Sequence, residues 1–142
     1  MKLAESLNDL QGIARAHNNL GIIYWEQRNI DVAITEYNKS LQLSQELGDK
    51  QTITSLYDNI GEAYRLKGEE KTAERYYLKS LALAEELGFK WQIAEANCNL
   101  GILYKNINKN KSKKYLKAAL DLYRTLGAKR EEEKVKKIMN QK

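Results

Sequence analysis

The sequence contains no proline, one cysteine and one histidine in 142 residues. A single cysteine, Cys98, cannot close an intramolecular disulfide, which removes the disulfide-stapled class of small domain. Cys98 and His17 are too few, and too far apart in sequence, to build a structural zinc site. No apolar run approaches the ~18 residues of a membrane-crossing helix, and the opening MKLAESLNDL lacks the apolar stretch of an export signal. The expected setting is therefore soluble and cytoplasmic, with no membrane partner. Without proline, nothing in the chain breaks helices strongly. The 42% hydrophobic and 30% charged residues are ordinary globular usage, which argues against a disordered chain. Abundant Leu, Ala, Lys and Glu, with a mean hydropathy of -0.67, predict an all-α protein with wet outer faces.

What the sequence does have is a repeat. Set against itself at an offset of about 40, it aligns in three copies, 17–50, 57–90 and 97–129, the third one residue shorter. Leu20/Ile60/Leu100, Gly21/Gly61/Gly101, Tyr24/Tyr64/Tyr104, Ala33/Ala73/Ser112, Tyr37/Tyr77/Leu116 and the Leu-Gly pairs at 47–48, 87–88 and 126–127 recur. Apolar positions within a copy follow helical spacing. In the first, Ile13, Ala16, Leu20, Ile23 and Tyr24 form one stripe, and Ala33, Tyr37, Leu41, Ser44 and Leu47 a second. Each copy thus predicts two helices, A over about 11–27, 51–67 and 91–107, and B over about 30–47, 70–87 and 110–126. Leu20, Ile23 and Tyr24 are expected in the core. Gly48, Gly88 and Gly127 are placed to end the B helices in the left-handed conformation. Gly21, Gly61 and Gly101 lie inside A helices, where each costs ~1 kcal/mol relative to Ala. Close approach of Tyr37 or Tyr77 to the glycine backbone is the expected compensation.

At these residues the sequence resembles the tetratricopeptide repeat family, over nearly its whole length. The matching pattern is His17/Tyr57/Asn97, the Leu-Gly or Ile-Gly pair, the Tyr, then Ala33/Ala73/Ser112, Tyr37/Tyr77/Leu116 and Ser40/Ser80/Ala119. Two departures are a period of about 40 in place of 34 and the absence of the family's junction proline, which suits a long-repeat subtype. The resemblance implies a right-handed α-solenoid of antiparallel helix pairs, with repeats at 11–50, 51–90 and 91–127. Residues 1–10 would be part of a preceding helix B, because Leu3 matches Leu43 and Leu7 matches Leu47. Residues 128–142 would form a C-terminal capping helix with Val135, Ile138 and Met139 as a sparse apolar stripe.

Charge is lopsided. Residues 1–104 hold 11 Lys or Arg against 15 Asp or Glu, a net of -4, whereas residues 105–142 hold 13 against 4, a net of +9. The basic end could draw an acidic partner or nucleic acid. No nucleic-acid motif, stacking platform or phosphate-cradling loop accompanies the lysines, which argues against nucleic acid.

Catalysis has little to stand on. His17 holds a packing position of the repeat, Cys98 has no activating partner, and successive carboxylates at Glu131, Glu132 and Glu133 point to different helix faces. The chain reads as no enzyme, with no cofactor and no metal. The informative residues lie on the A-helix face turned away from the core, the expected concave wall. Asn19, Asn59 and Asn99 recur there, each with amide donors and an acceptor suited to a peptide backbone. In the resembled family this position contacts ligand peptide. Alternatively the asparagines bond a neighbouring repeat. Trp25 and Ile22 are the expected apolar anchor, with Arg15, Glu62, Arg65, Ile102 and Lys105 completing the surface. The family's clamp for acidic chaperone tails needs Lys and Asn where this chain has Asn18, Asp58, Cys98 and Ile22, Glu62, Ile102, so that specificity is absent. The function expected is a protein-interaction module binding a peptide segment of a partner. Alternatives are a spacer or self-association element acting through an open N-terminal end, and acidic-partner or nucleic-acid binding by the basic cap.

Overall fold

A computed structural model describes the backbone of residues 2–141 and the side chains of residues 9–141. Among the described residues there are seven helices and no strand: α1 (Lys2–Glu26), α2 (Ile30–Leu47), α3 (Lys50–Leu66), α4 (Glu70–Leu87), α5 (Lys90–Tyr104), α6 (Lys109–Leu126) and α7 (Lys129–Asn140). No helix among them is long and apolar enough to cross a membrane. The chain forms two compact units, residues 1–73 and 74–142.

Three helices end by one mechanism. Gly48, Gly88 and Gly127 have φ of 68°, 71° and 70°. The residue after each donates its N–H to a carbonyl inside the closing turn: Asp49 to Ser44, Phe89 to Ala84 and Ala128 to Tyr123. These bonds satisfy carbonyls that a helix end leaves open. The next helix starts on a cap where the sequence supplies one. Asp49 accepts from the Thr52 N–H at 3.2 Å and from its hydroxyl at 2.6 Å, and Asn108 accepts from the Lys111 N–H at 3.1 Å.

In the first unit α1 and α2 form a hairpin, and α3 packs against α2. The approach expected at Gly21 is present: a Cβ there would meet the ring of Tyr37 at 2.5 Å. Ala33, Tyr37 and Ser40 are buried at the hairpin, and the Ser40 hydroxyl donates to the Ala14 carbonyl at 2.7 Å. In the second unit α5 and α6 form the equivalent hairpin, where a Cβ on Gly101 would meet the Leu116 side chain at 2.5 Å. Its core joins Ala94, Cys98, Leu116, Leu120, Tyr123 and, from α7, Val135.

Two sequence expectations are corrected. Leu20 and Ile23 are not core residues: they are 40% and 48% exposed, beside Ile13 at 46%. Their equivalents on α3, Ile60 and Ala63, are fully buried because α2 covers that flank, whereas no helix among the described residues covers the same flank of α1. Nor does α1 start near residue 11; it is continuous from Lys2. The position that holds a helix-ending glycine in later copies is Asn8 here, and no turn forms. The side chains of Leu3 and Leu7, on which a preceding helix was inferred, lie outside the described residues.

Candidate functional site

In the first unit the A-helix face is built by α1 and α3. The Asn59 amide donates to the Asn18 side-chain oxygen at 3.1 Å, tying the two helices together across their matched register. Of the asparagine row, Asn59 is thus partly committed to a neighbouring helix, and its partner Asn18 stands at a position where Asn does not recur, the other copies having Asp58 and Cys98. Asn19, next to Asn18, is exposed and makes no hydrogen bond among the described residues. One turn on, Ile22 is half-buried.

Trp25 is also half-buried, with the Arg28 guanidinium 5.4 Å from its ring centre. Its indole Nε1 is enclosed without an acceptor among the described residues. Trp25 can therefore anchor a ligand through its ring face but offers no accessible donor. On α3, Glu62 and Arg65 pair at 3.5 Å and are both partly exposed, so each can exchange its partner for a ligand charge. Asp58 beneath them is buried. Arg15 is exposed at the other end of the face.

The second unit presents Asn99 and Ile102 on α5 and Lys105 just past its end. Asn99 is half-buried, with no hydrogen bond among the described residues. Ile102 leans on the core together with Ile138 of α7. The Lys105 ammonium donates to the side chain of Gln141, the residue that follows α7, at 2.6 Å.

Burial raises the Cys98 thiol pKa, with Lys134 acting weakly the other way, and so keeps the sulfur protonated. Burial also raises Glu95, against a hydrogen bond from Trp91. The Tyr37 hydroxyl is pushed up to about 12 by burial and by nearby carboxylates. His17 Nδ1 lies 2.6 Å from Glu36 Oε2, joining α1 to α2. That places His17 in the hairpin. Among the described residues, no three His, Cys, Asp or Glu side chains are grouped to hold a metal ion.

Comparison with known proteins agrees with the fold of paired helices. The family model described as tetratricopeptide repeat matches residues 12–86, just over half of the chain. Among solved structures, the TPR domain of Arabidopsis FLU is similar at a TM-score of 0.76 and 19% identity, over 82% of this chain and 98% of that one. The apo form of RapI is similar at a TM-score of 0.77 and 19% identity, over 82% of this chain and 43% of that one. BtubC (BKLC) from P. vanneervenii is similar at a TM-score of 0.71 and 20% identity, over 79% and 46% of the two chains. The chain spans less than half the length of these last two. No curated protein matches it.

Proposed function

The chain belongs to the tetratricopeptide repeat family, and on that premise we propose that it is a protein-interaction module that takes a peptide segment of a partner on its A-helix faces. The observation that carries this reading is Asn19. An exposed amide without a partner among the described residues stands beside Ile22, while the Asn18–Asn59 bond ties α1 to α3 next to it. Asn19 bonds the ligand main chain, Ile22 and the Trp25 ring take an apolar side chain, and Arg65 and Glu62 select charge. On the second unit Asn99 plays the part of Asn19, with Ile102 and Lys105 beside it. Each neutral hydrogen bond adds only ~0.5–1.5 kcal/mol, so affinities near micromolar are expected.

Peptides selected from a displayed random library, then titrated against isotope-labelled protein, test this. Shift changes should gather on Asn19, Ile22, Arg65 and their neighbours. Asn19→Ala combined with Ile22→Ala should weaken binding at least about tenfold with helicity retained. Binding that maps elsewhere, or that survives the double substitution, would overturn the reading.

A second reading is favoured by the apolar flank of α1. Ile13, Leu20 and Ile23 form a stripe whose counterpart on α3 is covered by α2, and a second copy of this chain offers the same stripe for a self-complementary contact. Sedimentation at rising concentration should then reveal a dimer that Ile23→Glu dissociates. A monomer at all concentrations removes this reading.

A further inference from the structure

Five lysines, Lys109, Lys111, Lys113, Lys114 and Lys117, fall within nine residues of α6 with no acidic residue among them, and all five are exposed. Helix electrostatics do not account for this. The first turn of a helix is its positive pole, where carboxylates are stabilised and ammonium groups are not. Among the B helices, Asp31 stands there in α2 and Glu70 in α4, but α6 has no acidic residue in its first turn, as is also true of the A helices α3 and α5. In the repeat register Lys109, Lys113 and Lys117 replace Ile30, Ile34 and Asn38 of the first copy, and Glu70, Glu74 and Leu78 of the second.

The charges are also unanswered inside the molecule. None of the five lysines forms an ion pair among the described residues. The one arginine of α6, Arg124, is already held by Glu132 at 2.7 Å. Lys111 lies over the Tyr104 ring at 5.2 Å, which leaves its ammonium at the surface.

We propose that this flank of α6 is a second docking surface, separate from the A-helix face, and that it takes an acidic polypeptide segment. Lys109, Lys113 and Lys117 stand one turn apart along a single flank, so their attachment points repeat at about 6 Å along the helix axis. Alternate side chains of an extended strand repeat at about 6.6 Å, and carboxylates four residues apart on a helix repeat at about 6 Å. An acidic run in either conformation meets all three lysines in register. Nucleic acid fits less well. Single strands are gripped by open aromatic faces, but here Tyr104 and Tyr123 are buried and Tyr115 is stacked on Tyr104 at 5.6 Å. No free arginine of α6 is left for bidentate phosphate contacts.

The test uses the full chain and a fluorescent oligoglutamate followed by anisotropy. Binding should weaken as salt rises. Lys109→Gln, Lys113→Gln and Lys117→Gln together should cut affinity at least about tenfold, and the same three changed to Arg should retain it. Lys129→Gln, Lys136→Gln and Lys137→Gln on α7 change net charge equally and should cost no more than about threefold. Circular dichroism checks that each variant is folded. The proposal is overturned by an absence of binding at low salt, by equal losses in the two glutamine variants, or by tighter binding of an RNA of matched charge.

Discussion

Gly21 of α1 faces the ring of Tyr37 of α2 so closely that a Cβ on the glycine would stand 2.5 Å from the ring's Cδ1 and Cε1. The glycine is a poor helix former in mid-helix, and it persists because the tyrosine occupies the space a side chain would need. Gly21→Ala should therefore destabilise the protein by about 1–2 kcal/mol, the overpacking cost exceeding the ~1 kcal/mol gained in helix propensity. Gly12 provides the contrast. It lies in the same helix with nothing within 4 Å of a built Cβ, so Gly12→Ala should stabilise by about 1 kcal/mol. Urea midpoints of the two variants should move in opposite directions.

That contrast marks what the sequence could reveal. Gly21, Gly61 and Gly101 recur at one spacing, so their role in helix contact could be inferred before any coordinates. The same periodicity put Leu20 and Ile23 in the core, and there it misled. A helical stripe shows that a face is apolar; it carries no information on whether a neighbouring helix covers that face. The asparagine row had a similar limit. Recurrence identified Asn19, Asn59 and Asn99, but only the geometry separates Asn19, which is open, from Asn59, which bonds Asn18. The serines at the small positions were legible by size alone. That Ser40 bonds the Ala14 carbonyl and Ser112 the Gly101 carbonyl, each at 2.7 Å, depends on how close the helices approach.

Arg28 has φ of 65°, in the turn position where the second copy has Gly68 at 85°. A residue with a Cβ costs roughly 1–2 kcal/mol in this conformation. The stacking of Arg28 on Trp25 returns only about 0.5–1 kcal/mol at an exposed site. Arg28→Gly should accordingly stabilise by about 0.5–1 kcal/mol, while Arg28→Ala keeps the strain, loses the stacking and should destabilise slightly. Thermal unfolding of the pair distinguishes strain from stacking, since stacking alone would make both variants less stable.

The bond between His17 and Glu36 makes hairpin stability depend on acid. The hydrogen bond from His17 is the main reason that the Glu36 carboxyl lies below its ordinary value of 4.5, with Lys39 adding to the effect and burial opposing it. Because the folded-state value is depressed, the stabilisation is present in full above about pH 4.5 and is lost as the pH falls through the folded-state value. Glu36→Gln should cost on the order of 1 kcal/mol near neutral pH. The gap between variant and wild type should close in acid, as followed by denaturant midpoints across a pH series. A gap that stays constant would assign the loss to packing instead of charge.

α7 is attached chiefly through one side chain. Its twelve residues, Lys129–Asn140, bury Val135 alone, with Ile138 leaning on the same core from a half-buried position. A helix this short is marginal in water by itself, so its order depends on that contact. The polar ties from the hairpin are few: the ion pair of the exposed Arg124 with Glu132 at 2.7 Å, which salt screens, and the bond from Lys105 to Gln141, just past the helix end, at 2.6 Å. Removing two methyl groups in Val135→Ala should cost about 2 kcal/mol. The loss should appear first as faster amide exchange in α7, with α5 and α6 retaining their protection. Uniform loss of protection across α5, α6 and α7 would mean instead that the cap and the hairpin unfold as one cooperative unit.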